Sequence, residues 1–330
     1  MSVVNAIFTN FLAFLMSIIL TVFPYAGIQL PVINTEKDDC KLLVEMISDT
    51  HLEEKELFRQ WFLKSGLKNL SRADVDIDAV LVTGDLTNYA DEPSLAKYFE
   101  IIKEYSPAQV ISAAGNHDIG HAGDRDKTDI TREQAKANFI KYNNEYMGMN
   151  NEDNYYSYTV NGYKFIVLGD IVYDGGHWDG MDLGAEQLAF LDRELASAEK
   201  GKPVFVCSHW PIDDINGENI IWPDSGIDLE VNPVKDIFEK YENVFYISGH
   251  MHAGIKSTAV DEKYGLASVE KVNGVTYISL PTYGIINMFG LPWSATGMQM
   301  EVYDDEVIIR PRNFMTNKWY TNAEYRIEIV

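Results

Sequence analysis

Residues 246–255 read YISGHMHAGI: a short apolar run, a glycine, then two histidines separated by one methionine. Strand alternation would put His250 and His252 on the same side, where one metal ion could take both. A turn permitted by Gly249 would instead splay the two rings toward two ions. Both readings stand on this stretch alone, and what else the chain brings to the same edge decides between them.

The run closes a strand predicted at Asn243–Ser248. Outward from it, Lys41–Ser48, Ala79–Thr83, Gln109–Ala113 and Pro203–Ser208 are short apolar runs that end in polar clusters, the pattern of buried strands. Residues 53–70, 92–105, 131–147 and 185–199 have helical character. Tyr155–Val160 and Tyr163–Leu168 flank Asn161-Gly162, a strong hairpin turn signal. The alternation predicts an α/β domain. The last sixty or so residues are β-rich, with a turn at Asp304-Asp305, and predict a mostly antiparallel sheet from the second half. Three irregular stretches, 119–130, 172–184 and 211–232, have a length usually reserved for function.

Composition narrows the partners. The 330 residues are 46% hydrophobic, enough for a sizeable core, and carry a net charge of −23. Such a surface repels phosphate backbones, which argues against general nucleic-acid binding. A small phosphorylated substrate stays compatible, because bound cations can reverse the field inside one pocket. Cys207 sits in the apolar run PVFVCSH as a core residue, and no bridge to Cys40 is expected. Residues 1–35 hold no charged side chain, and Phe11–Phe23 is continuously apolar apart from Ser17 and Thr21. This predicts a hydrophobic leader over 1–35, a signal peptide or membrane anchor, with membrane contact through residues 11–30. The remainder, 36–330, would then be one extracytoplasmic domain, secreted or membrane-anchored; if the leader is not a targeting segment, the protein is cytoplasmic.

The chemistry lies where the strands end. After the first come Asp49 and His51, after the second Asp85, after the third Asn116, His117 and Asp118. After the fourth comes His209, and after the fifth His250 and His252. Sites of open α/β sheets form outside the carboxyl ends of their strands. Each residue alone is weak evidence, since an Asp after a strand commonly caps a turn. Together they form a mixed oxygen and nitrogen donor set suited to Mn, Fe or Zn. Asp49, His51, Asp85, Asn116, His209, His250 and His252 are too many for one catalytic ion with an open position. They suit two ions sharing a carboxylate.

The order Asp-x-His, Gly-Asp, Gly-Asn-His-Asp, His, Gly-His-x-His, running from Asp49 to His252, resembles the calcineurin-like metallophosphoesterase superfamily. The resemblance implies a four-layer α/β/β/α sandwich with a binuclear centre. It implies hydrolysis of phosphodiester or phosphomonoester bonds by a metal-bridging hydroxide attacking phosphorus. Asp49, His51 and His252 would hold one ion, Asn116, His209 and His250 the other, and Asp85 would bridge. His117 would face the substrate as proton donor, with Asp118 orienting it. The motifs SDTH, GDLTN, GNHD and GHMH are most similar to class III cyclic-nucleotide phosphodiesterases and to purple-acid-phosphatase-like enzymes. The latter carry a metal-binding tyrosine three residues after the Gly-Asp aspartate; here that position is Asn88 and Tyr89 follows it, which counts against a tyrosinate–iron site. His121, Trp210 and Tyr283 are candidate pocket residues, whereas His177 and the carboxylates of DDINGEN and PDSGIDLE read as solvated surface. A non-catalytic binding module would be expected to lack a ligand or His117, and this chain keeps all of them. The net charge and the lack of a basic stripe argue against a nuclease.

Overall fold

In the computed structural model, residues 30–119, 130–171, 180–255, 268–288 and 293–330 are described. The leader up to residue 29, His121 and His177 lie outside them. No helix among the described residues is long and apolar enough to cross a membrane.

Two six-stranded sheets face each other. In the first, β1 (Leu42–Ile47), β2 (Ala79–Thr83) and β3 (Gln109–Ala113) run parallel. These strands are covered on both faces, which is why they read as unbroken apolar runs. In the second, β5 (Tyr163–Val167), β6 (Val204–Cys207), β7 (Val244–Ser248) and β9 (Val275–Ser279) are parallel. β4 (Tyr156–Val160) and β8 (Val269–Val272) are antiparallel edges. The β4–β5 hairpin turns through Asn161 (φ 50°) and Gly162 (φ 81°), both left-handed as a two-residue turn requires.

The β-rich C-terminal part pairs mostly antiparallel, as predicted, but divides between the two sheets instead of forming one. β9 joins the second sheet in parallel, while β10 (Thr296–Val302), β11 (Glu306–Asn313) and β12 (Tyr325–Glu328) cross back to the first. There β10 pairs antiparallel with β1, Val44 opposite Met300. The chain thus closes the edge of β1 that its parallel neighbours leave open.

Inward-facing residues of both sheets form one core, among them Val44, Leu81, Ile111, Phe165, Phe205, Phe245 and Met300. The outward faces pack under helices α1 (Leu57–Leu70), α2 (Glu92–Tyr105), α3 (Arg132–Met147) and α4 (Gly184–Ala196). This is a four-layer α/β/β/α arrangement. Helix starts are set by local chemistry: Glu56 accepts from Phe58 and Arg59 N–H, Asp91 accepts from Ser94 N–H, and Thr131 with Gln134 forms a capping box. Cys40 and Cys207 are both free.

Candidate metal centre

The parallel strands of both sheets deliver their following residues to a common edge. Asp49, His51, Asp85, His250 and His252 all have positive φ, between 44° and 69°. Such backbone is uncommon for side chains with a Cβ, and its concentration here re-aims each donor at a strand end. At His250 (φ 69°) and His252 (φ 47°) the opening stretch therefore turns. Gly249 is not itself among the positive-φ glycines of the described residues. It is glycine because a Cβ there would collide with Ser48 Oγ and come within 2.7 Å of Asp49 Oδ2.

The donors fall into two groups. In the first, His252 Nε2 lies 3.1 Å from Asp49 Oδ1, His51 Nε2 lies 3.2 Å from His252 Nε2, and His51 Nε2 lies 3.5 Å from Asp85 Oδ2. Donor atoms of Asp49, His51, Asp85 and His252 all fall within 4.8 Å of one another. In the second, His209 Nε2 lies 3.0 Å from Asn116 Oδ1, 3.1 Å from His250 Nδ1 and 3.3 Å from Asp85 Oδ1. Asp85 therefore turns one oxygen to each group. His250 and His252 belong to different groups, two residues apart in sequence.

Several observations fit this set to cations. Both carboxylate oxygens of Asp49 are buried with no hydrogen-bond donor aimed at them, an arrangement costly without a compensating charge. Imidazole lone pairs converging at 3.1–3.2 Å repel unless a proton or cation lies between them. His209 donates from Nδ1 to the Thr83 carbonyl at 2.8 Å, which leaves Nε2 free to ligate. Burial holds His51 and His250 well below the ordinary histidine range, keeping them in the neutral, ligating form. Burial would raise Asp85, but His209, His117 and His51 around it hold it well below the usual carboxylate range.

His117 is half-exposed above this floor. Its Nδ1 donates to the Asn88 carbonyl at 2.8 Å, and Nε2 faces Asp85 Oδ2 at 3.9 Å. The expected role of Asp118 is corrected. Its two oxygens accept from the N–H groups of Leu86, Thr87 and Gly115 and from Thr87 Oγ1, all at 2.8–2.9 Å. It therefore staples the loop after β2 to the loop after β3, and the Asn88 carbonyl orients His117 instead. The Asn88 side chain turns away from the centre to Glu53 Oε1 at 2.8 Å. Arg59 Nη1 holds that same carboxylate oxygen at 3.2 Å and the His51 carbonyl at 2.6 Å.

Trp210 is fully buried, its ring 5.3 Å from that of His209, and forms a wall behind the ligands. Tyr283 is not a pocket residue. It is buried, donates to the Phe62 carbonyl of α1 at 3.0 Å and packs edge-on against Phe314. The acidic loop is not simply solvated either: Asn216, Glu218 and Ser225 are buried, with Glu218 accepting from Asp214 and Ser225 N–H. That loop also carries a residue the sequence reading missed. Trp222 caps the short helix α5 (Glu218–Ile221), its ring stacked 5.8 Å from His250 and edge-on 5.9 Å from His252. A lone half-exposed tryptophan amid carboxylates was the available signal.

Residues 45–254 match the calcineurin-like phosphoesterase family. The chain belongs to that family. It has the mixed α/β fold of that family. Among solved structures, this phosphoesterase is similar to purple acid phosphatase PPD1 from yellow lupin (Lupinus luteus) seeds. The TM-score is 0.55 and the identity 13%, over 87% of this chain and 53% of that one. The phosphoesterase thus spans about half the lupin enzyme's length. It also overlaps the phosphopantetheinyl hydrolase PptH from Mycobacterium tuberculosis, with a TM-score of 0.46 and 14% identity over 74% of this chain and 91% of that one. A comparison with curated protein sequences finds no match.

Proposed function

We propose that this phosphoesterase works with two divalent cations and hydrolyses phosphodiester or phosphomonoester bonds of small substrates. Asp49, His51 and His252 would hold one ion, Asn116, His209 and His250 the other, and Asp85 both. One observation carries the reading: Asp85 Oδ2 lies 3.5 Å from His51 Nε2 while Asp85 Oδ1 lies 3.3 Å from His209 Nε2. When bound, such a cation pair neutralises phosphoryl oxygens and supplies an activated water for attack on phosphorus. The protein supplies the rest. Asn116 offers a neutral amide oxygen, so one ligand adds no negative charge against an incoming phosphate. His117, with Nδ1 committed to Asn88, holds Nε2 toward the substrate side, where it protonates or hydrogen-bonds the departing oxygen. Trp210 and Trp222 limit water around the histidines.

The test is reconstitution of the metal-stripped protein with Mn, Fe or Zn, followed by metal counting and assay. The substrate panel is an aryl phosphate monoester, an aryl diester and cyclic nucleotides. Two ions per chain with turnover of an aryl ester support the reading. A single ion at full activity removes the shared role of Asp85, and turnover confined to cyclic nucleotides narrows the enzyme to a cyclic-nucleotide phosphodiesterase. The charge-free leader supports an extracytoplasmic location, which cell fractionation tests.

A further inference from the structure

Two segments of this phosphoesterase frame the histidine ligands from outside. The first is α5 with Trp222, whose ring lies against His250 and His252. The second is formed by residues 284–288 and 293–294, between Tyr283 and Ala295. Its Gly284 N–H donates to the Asp49 carbonyl and its Met288 N–H to the His252 carbonyl, both at 2.9 Å. Nine large hydrophobic side chains are exposed among the described residues, and five of them lie on these two segments: Ile220, Trp222, Ile286, Met288 and Trp293. Met288 is 48% and Trp293 53% exposed. Exposed apolar side chains gathered at one place mark a binding surface, whereas scattered ones do not.

The chemistry of the two segments says what they would bind. From Leu280 to Met300 the sequence contains no Asp, Glu, Lys or Arg, and from Pro211 to Asn232 it contains acidic residues but no Lys or Arg. Neither segment offers a cation to a second phosphate or carboxylate. The polar side chains of the charge-free loop turn inward. Asn287 bonds Thr282 and the Trp293 carbonyl, Ser294 the Ile285 carbonyl, and Thr296 the Trp293 carbonyl. A nucleobase needs donors and acceptors along its edges, and here they are committed within the loop.

We infer that the substrate of this site is a phosphoester of an apolar, uncharged alcohol, a long-chain alkyl or lipid-like group. The phosphoryl group sits at the histidines, and the chain lies against Trp222, Ile220, Ile286, Met288 and Trp293. The inference rests on the phosphoesterase reading of the same centre. A chain in that position leaves water along its length, and each fully buried methylene is worth up to about a fourfold gain in kcat/KM.

The test uses ethyl, hexyl and octyl phosphates with the metal-loaded full chain, or p-nitrophenyl diesters of the same alcohols if the enzyme prefers diesters. Adenosine 5′-monophosphate is the polar comparison. The expected result is kcat/KM at least about tenfold higher for octyl than ethyl, with the nucleotide below octyl. In Ile220→Ser and Met288→Ser, metal content and thermal midpoint should stay near those of the native chain while the octyl-to-ethyl ratio falls. An octyl-to-ethyl ratio of one or less overturns the inference, as does a ratio unmoved by both variants or a preference for the nucleotide. Turnover of none of these esters would instead sink the phosphoesterase reading on which the inference stands.

Discussion

His117 donates from Nδ1 to the backbone carbonyl of Asn88 at 2.8 Å, which fixes the ring with Nε2 3.9 Å from Asp85 Oδ2. A carbonyl can only accept, so the tautomer is set by the chain itself. The ring also meets His51 edge-on at 4.7 Å, which limits its tilt.

In the proposed reaction His117 would touch the leaving group and not the cations. His117→Ala should retain metal at the native level and lower kcat by about 10²–10⁴-fold. Alkyl esters should suffer most, because poor leaving groups depend most on a proton donor. Metal analysis beside kinetics on alkyl and p-nitrophenyl esters checks this, and stripped metal in the variant would show the role to be wrong.

Glu53 sets His117 at one remove, by holding the Asn88 side chain at 2.8 Å while Arg59 holds Glu53. Glu53→Ala should lower kcat about tenfold with little change in KM and none in metal content, the scale for an outer-shell partner. Glu53→Gln keeps an acceptor for Asn88 and should recover most of the loss. A change confined to KM would contradict the positioning role.

Asp85 couples the two donor groups, so Asp85→Asn should lose both ions or their coupling. In the native chain, metal at a hundredfold excess over Kd should stabilise by about 2.7 kcal/mol. Thermal melts with and without Mn and chelator measure this, and the metal-induced rise should shrink or vanish in Asp85→Asn. A fully metallated, fully active variant would falsify the shared assignment.

Asp118 is a stability residue. Asp118→Ala leaves the N–H groups of Leu86, Thr87 and Gly115 without their acceptor in a buried place. At about 1–3 kcal/mol for each unpaired group, the loss should reach about 3 kcal/mol or more by urea denaturation. Asp118→Asn should lie between the two. An alanine variant as stable as the native chain would rule the staple out.

Burial, together with Glu218, Asp228, Asp214 and Asp224, pushes Asp213 up to about 7. An unfolded aspartate titrates near 3.9, so between about pH 4 and 7 the native chain holds a proton that the unfolded chain has released. Stability from this group therefore falls as pH rises through that window, and the cost is complete above it. Asp213→Asn removes the titration. Its thermal midpoint relative to the native chain should climb from about pH 4 to 7 and then level off, and a pH-independent difference would contradict the shift.

What the sequence determined by itself was everything local. Buried parallel strands must be continuous apolar runs, so Ala79–Thr83 and Gln109–Ala113 were legible to the residue. Donor types at the strand ends were equally plain, because metal chemistry restricts them to a few side chains. Tertiary structure decided which atoms meet. Asp118 lies beside His117 in sequence, yet its carboxylate turns to the N–H groups of Leu86, Thr87 and Gly115, because three backbone donors outweigh one imidazole. Tyr283 follows a strand end as a pocket residue would, yet its hydroxyl donates to α1, against Gly66, where a Cβ would collide with it. Trp222 reaches the histidines only because the loop that carries it folds back across the sheet edge. His250 and His252 part for the same kind of reason. Alternation along a strand is a local rule, but left-handed turns at both residues, with Ser48 and Asp49 packed against Gly249, send the His250 ring to His209 and the His252 ring to Asp49.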